Sequence, residues 1–202
     1  MKHTGWCICI AAVLCLICTF SSADGLEAAA QGVPAQCFLD ENGVDTVLRM
    51  DTQPVIGMSE DIQGDVILFL DLVEQPDADD WIVIRVTVAS ESWEALNNQR
   101  MQLRAGKKTY TIPCDRTISE YDMTFYEDDI LFLTGKSLPV LEELAKSRDG
   151  RLTITLIGTE TTQAQFVVDT EMVQQILKLY RKLGGTKQDL SALEECYPVE
   201  VE

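Results

Sequence analysis

Two apolar stretches constrain this chain more than any other feature. Val66 to Val73 reads VILFLDLV, almost without interruption. Trp81 to Val88 reads WIVIRVTV, with Ile82, Ile84, Val86 and Val88 on one parity and Arg85 and Thr87 on the other. Pro76-Asp77-Ala78-Asp79-Asp80, a cluster of turn formers, lies between them. Strand, turn and strand at this spacing predict antiparallel neighbours, the first buried on both faces and the second on one.

The same pattern recurs along the chain. Val44–Met50 is a further candidate strand, followed by a loop through Pro54, Gly57 and Gly64. Met101 and Leu103 share a face, Ala105-Gly106-Lys107-Lys108 supplies a turn, and Tyr110 and Ile112 return on the same side. Residues 113–121 read as irregular or extended, and Asp129–Thr134 as a short strand. Arg151–Ile157 and Gln163–Val168 alternate, which predicts a hairpin with Leu152, Ile154 and Leu156 facing Ala164, Phe166 and Val168 across a loop at 158–162. Two helices are expected. The first spans about 138–147, with Pro139 in its first turn and Leu138, Leu141, Leu144 and Ala145 at helical spacing. The second spans about 170–183, capped by Asp169 or Thr170 and carrying Val173, Ile176, Leu177, Tyr180 and Leu183 as one stripe. Ser191–Glu194 fits a capping box for a last short turn, and the acidic tail is expected to fray. Strands joined by hairpins rather than by alternating helices give an α+β fold: a largely antiparallel sheet with the two helices packed on it.

The amino terminus reads differently. Lys2 precedes an uncharged apolar run from Trp6 to Phe20, and Ser21-Ser22-Ala23 suits a peptidase cutting between Ala23 and Asp24. The run is short for a membrane span, which takes about 20 residues. Residues 1–23 are therefore expected to be a signal peptide and the protein secreted or periplasmic. Bulky residues before Cys15 and Cys18 argue against lipidation there. Residues 24–36, small and aperiodic, read as a flexible lead-in, and 37–202 as a single domain.

Cleavage at that point changes the chemistry available. The leader holds His3, the one histidine, and four of the seven cysteines. Without histidine the chain builds no Ser-His-Asp or Cys-His arrangement, and the imidazole-based zinc sites go too. Cys37, Cys114 and Cys196 remain; export permits a disulfide, one pair at most, and the sequence does not choose among the three pairings. The whole chain carries 16 basic and 33 acidic residues, a net charge of −17. Such a field repels phosphate backbones and anionic headgroups, so neither nucleic acid nor, after processing, a membrane is expected as partner.

The remaining motifs are weak. Gly135-Lys136-Ser137 echoes a phosphate loop, but the loop's first glycine would stand where Ile130 does, so a strand-to-helix turn with Ser137 near the cap is expected. Asp77, Asp79 and Asp80, and likewise Glu127, Asp128 and Asp129, cluster without the spacing of a calcium loop and read as solvated turns. Trp81 and Trp93 suit core-edge packing, and Arg85 and Arg116 a polar face or partners for nearby acids. Phe125-Tyr126, beside the acidic run, is the candidate contact surface. No catalytic, cofactor-binding or metal-ligating residue stands out. Export, acidity and the missing catalytic motifs together point to a non-enzymatic domain that binds a protein or surface component in the envelope or extracellular space. The alternatives are a carboxylate-based glycan hydrolase and a calcium-stabilised structural module.

Overall fold

The computed structural model describes residues 25–40, 42–51, 55–57, 66–75, 81–92, 97–121 and 124–202, with 91, 92, 119–121 and 124–126 as backbone. The expected signal peptide with its Ala23–Asp24 junction, the turn at 76–80, and Trp93 lie outside the described residues.

The two strands that dominate the sequence pair as expected. β4 (Val66–Gln75) and β5 (Trp81–Ser92) run antiparallel, from Val66 opposite Ser90 to Gln75 opposite Trp81. They form the middle of a larger sheet with β1 (Ala35–Leu39), β2 (Thr46–Met50), β3 (Val55–Gly57), β8 (Asp115–Tyr121) and β9 (Thr124–Leu133). Its order is β1-β2-β4-β5-β9-β8, and β3 joins β4 beside β2.

The expectation of one sheet is corrected by a second. Here β6 (Arg100–Ala105), β7 (Lys108–Pro113), β10 (Arg151–Ile157), β11 (Thr161–Val167) and β12 (Glu200–Val201) order as β11-β10-β6-β7-β12, all antiparallel. Hairpin signals register only strands adjacent in sequence; the pairing of β6 with β10, Leu103 opposite Ile154, is invisible to them. Gly106 at φ +62° opens the two-residue loop between β6 and β7, as a primed turn requires. In the β10–β11 hairpin Leu152 faces Phe166, Ile154 faces Ala164 and Leu156 faces Thr162, so Val168 falls beyond the strand. The fold is α+β, dominated by antiparallel strands.

Among the described residues four short or medium α-helices complete the fold: α1 (Leu26–Ala29), α2 (Pro139–Leu144), α3 (Thr170–Lys182) and α4 (Ser191–Cys196). The Asp169 Oδ1 accepts the Glu171 amide at 2.8 Å and caps α3, whose buried stripe is Met172, Val173, Ile176, Leu177, Leu179 and Tyr180. α3 packs on β4 and β5, α2 packs on β6 and β7, and the two helices touch. The sheets also meet directly where β3 abuts β11: a Cβ on Gly57 would lie 2.5 Å from the Phe166 ring. One apolar core therefore runs from Leu68, Leu72, Val86 and Leu131 of the first sheet to Leu103, Ile112 and Ile154 of the second. Residues 25–36, expected to be flexible, carry α1 and the start of β1, and Leu26 is fully buried in that core.

The other face of the large sheet is covered in part by the carboxy-terminal segment. Leu190 and Leu193 pack on Val47, Val73 and Val83, with Trp81, Phe132 and Tyr197 at the margin. Trp81 is thus a core-edge residue, as its amphipathic ring suggests.

Candidate functional site

Three polar assemblies stand out against this apolar framework. The first is built on β9. Successive strand residues alternate faces, so Glu127 and Asp129 point the same way, and the parity of Leu131 and Leu133 takes both inward. They are 1% and 0% exposed. The expectation of a solvated turn at 127–129 is corrected: this is mid-strand, between β5 and β8, with Ser90 opposite Glu127 and Arg116 opposite Asp129.

Burial of carboxylates demands partners. Asn97, at φ +54°, turns two successive amides onto Glu127: its own bonds Oε2 at 3.0 Å and that of Asn98 bonds Oε1 at 2.8 Å. The Asn98 Nδ2 donates to Asp129 Oδ2 at 2.7 Å, and the Cys114 thiol reaches Oδ1 at 3.8 Å. Burial pushes the Asp129 carboxyl up to about 7, with the Glu127 charge adding to the rise while Asn98, Cys114 and Arg116 oppose it. Cys114 is pushed up to about 12 by burial and then by Asp129. Arg116 Nη1 donates to Asn97 Oδ1 and so braces the turn that grips Glu127.

A pair of inward carboxylates with one raised pKa is the pattern an acid–base enzyme needs. The geometry here does not serve that use. All four carboxylate oxygens accept bonds from the protein, and neither side chain reaches solvent. Among the described residues, no three Asp, Glu or Cys side chains converge as a metal site.

The second assembly lies on the opposite face. Asp71, fully buried within the apolar run of β4, accepts Arg49 Nε and Nη2 at 2.8 and 2.7 Å and Arg85 Nη2 at 3.1 Å. The three align across β2, β4 and β5. Arg49 also stacks over Phe69, its guanidinium carbon 3.9 Å from the ring centroid, and lies 5.4 Å from that of Phe38. The expectation that Arg85 partners a nearby acid is met.

The third is a cavity of about 430 Å³ where the carboxy-terminal segment meets α2 and α3, lined by Gly135, Leu138, Tyr180, Gly185, Asp189 and Glu194. It includes the glycine of Gly135-Lys136-Ser137. Lys136 pairs with Glu194 at 3.1 Å, and the buried Ser137 Oγ accepts the Thr134 amide at 2.9 Å. The tripeptide is a strand-to-helix turn, with its lysine and serine engaged by the protein.

Among the described residues the three cysteines are free, Cys37 and Cys196 exposed and Cys114 partly buried. Cys37 on β1 and Cys114, next to β8, stand at opposite edges of the large sheet. Five strand spacings separate them by roughly 24 Å, beyond the ~7 Å that a disulfide spans. Both Cys114 and Cys196 act on the Tyr197 hydroxyl, whose pKa is raised by burial and by its bond to Asp115. The fold therefore groups two thiols and isolates Cys37.

Phe125 and Tyr126 fall in β9, with their side chains outside the described residues. The exposed large apolar side chains among the described residues are spread over both sheets, with Ile56, Ile118, Val167 and Val201 standing singly and three others at one end of the large sheet. Phe38 (38% exposed), Leu39 (60%) and Val44 (42%) follow one another along β1 and its turn into β2.

Compared with protein-family models, curated proteins and solved structures, the chain finds no match. Among the described residues no helix is long and apolar enough to cross a membrane.

Proposed function

We propose that this chain is an exported, non-enzymatic domain, secreted or periplasmic, that binds a protein or surface component in the envelope or outside the cell. One contrast carries the reading. The buried acids Glu127, Asp129 and Asp71 are sealed and bonded internally, whereas Phe38 and Leu39, on the two faces of the edge strand β1, and Val44 in the turn that follows are exposed to solvent. Exposed apolar side chains in sequence are costly to solubility and mark contact surfaces where they cluster. Asp129, the buried carboxyl raised toward neutrality and so suited to a general acid, is closed to a glycan substrate.

Labelled residues 24–202 should bind saturably to envelope fractions of the producing cell and be displaced by excess unlabelled protein. Phe38→Ser with Leu39→Ser should abolish that retention while the protein still unfolds in one cooperative transition. Non-saturable retention, or release of reducing sugar from envelope glycans by the purified protein, contradicts the reading.

A further inference from the structure

The open edge of β1 has a defined hydrogen-bonding pattern. The Asp51 amide donates to the Pro34 carbonyl, and the Asp40 amide to the Asp45 carbonyl. In an antiparallel pair, residues that exchange such bonds recur every second position. Ala35 pairs with Met50 and Leu39 with Thr46, so Pro34, Gln36, Phe38 and Asp40 direct their backbone groups at β2. Cys37 and Leu39 therefore turn their N–H and C=O groups away from the sheet. The Ala35 amide is already taken by the Val33 carbonyl. Among the described residues no strand pairs with β1 on that side.

Sheet edges are normally guarded by charge, proline or a covering segment. The other long edges follow that rule: β8 carries Asp115 and Arg116, and β11 lies against β3. The five residues of β1, AQCFL, include no charge. The acids stand around the strand instead. Asp40 and Asp51 flank its two ends, and Glu27 of α1 and Glu74 of β4 lie near enough to Cys37 to raise its thiol pKa, after burial. Lys178 and Lys182 are found beyond Pro34, past the open positions. Arg49 is committed to Asp71 on the far face.

We propose that β1 is a docking edge that takes an extended segment of a basic partner protein as an added strand, with backbone bonds to Cys37 and Leu39 and lysine or arginine side chains meeting Glu27, Glu74, Asp40 and Asp51. This rests on the binding reading above and names its partner chemistry. A second copy of the chain fits less well, because two molecules of net charge −17 would bring the same carboxylates together.

The test uses residues 24–202 and a short synthetic peptide of alternating lysine and valine, with amide exchange followed by NMR. Binding should slow exchange at Cys37 and Leu39, weaken as salt rises, and be absent for the glutamate–valine counterpart. Methylating the peptide amides that face the edge should weaken binding about tenfold or more, the loss expected from two missing backbone hydrogen bonds. Equal binding by the methylated peptide, or protection at a different strand, overturns the proposal. So does protection of Cys37 and Leu39 that grows with protein concentration alone, which would signal a second copy. Leu39→Lys, at an exposed position, separates the two levels. Undiminished envelope retention by this variant removes the edge but leaves the binding reading standing; no saturable retention by the wild type removes both.

Discussion

The buried carboxyl of Asp129 should make this protein lose stability as pH rises through neutrality. Its pKa is raised from 3.8 to about 7 in the fold. Below 3.8 folded and unfolded chains both hold the proton, and above 7 neither does. Between those limits the folded chain holds a proton that the unfolded chain has released, so stability falls as pH rises. At 1.36 kcal/mol per pKa unit the loss is about 4 kcal/mol from pH 4 to pH 8, of which about 2 kcal/mol falls between pH 5 and pH 7. Asp129 is fully buried, so solvent does not screen the effect. Asp129→Asn keeps an acceptor for Asn98 Nδ2 and removes the charge. Denaturant unfolding of both proteins at several pH values between 5 and 8 should show a sloping profile for the wild type and a flatter one for the variant. The variant should then be the more stable protein at pH 8, by about 1–3 kcal/mol. Parallel profiles across this range would rule out a raised Asp129 pKa, because the remaining carboxylates are common to both proteins.

Four further outcomes follow from the same structure. A thiol reagent at pH 8 should modify Cys37 and Cys196 and leave Cys114 largely intact in the native state, since its thiol is pushed up to about 12; rapid modification of all three would contradict the buried placement. Asp71→Asn strands two guanidinium groups against an apolar face and should cost about 3–5 kcal/mol in denaturant unfolding, whereas replacing Asp71, Arg49 and Arg85 together by apolar residues should recover much of it. Gly57→Ala drives a Cβ into the Phe166 ring and should cost about 1–3 kcal/mol, relieved in part by Phe166→Leu. Asp169→Ala removes the α3 cap and should cost about 1 kcal/mol, read as a lower melting temperature.

Much of the framework is written in side-chain period. The β4–β5 pair, the β6–β7 and β10–β11 hairpins and α3 all appear in alternation or in the 3.6 repeat, with Gly106 and Asp169 marking turn and cap. Non-local pairing leaves no such trace, which is why β10 beside β6 and the division into two sheets come only from the structure. The acids misled for a related reason. Glu127-Asp128-Asp129 has turn composition, yet Glu127 and Asp129 continue the parity of Leu131 and Leu133, and that period was the available signal of a strand beginning earlier. Their tolerance of burial depends on amides at Asn97 and Asn98, far away in sequence. Asp71 hides in the same way, inside an apolar run, because Arg49 and Arg85 arrive from two other strands. The exposed positions of β1 stayed unread because residues 24–36 and the start of the domain lack a period long enough to place an edge.

The most direct test needs no mutation. With residues 24–202 bound at saturation to the envelope fraction that retains them, the alkylation rate of Cys37 by a maleimide is compared with that of Cys196. Cys37 should slow markedly while Cys196 does not. An unchanged Cys37 rate on the fully bound protein would contradict a contact surface along β1.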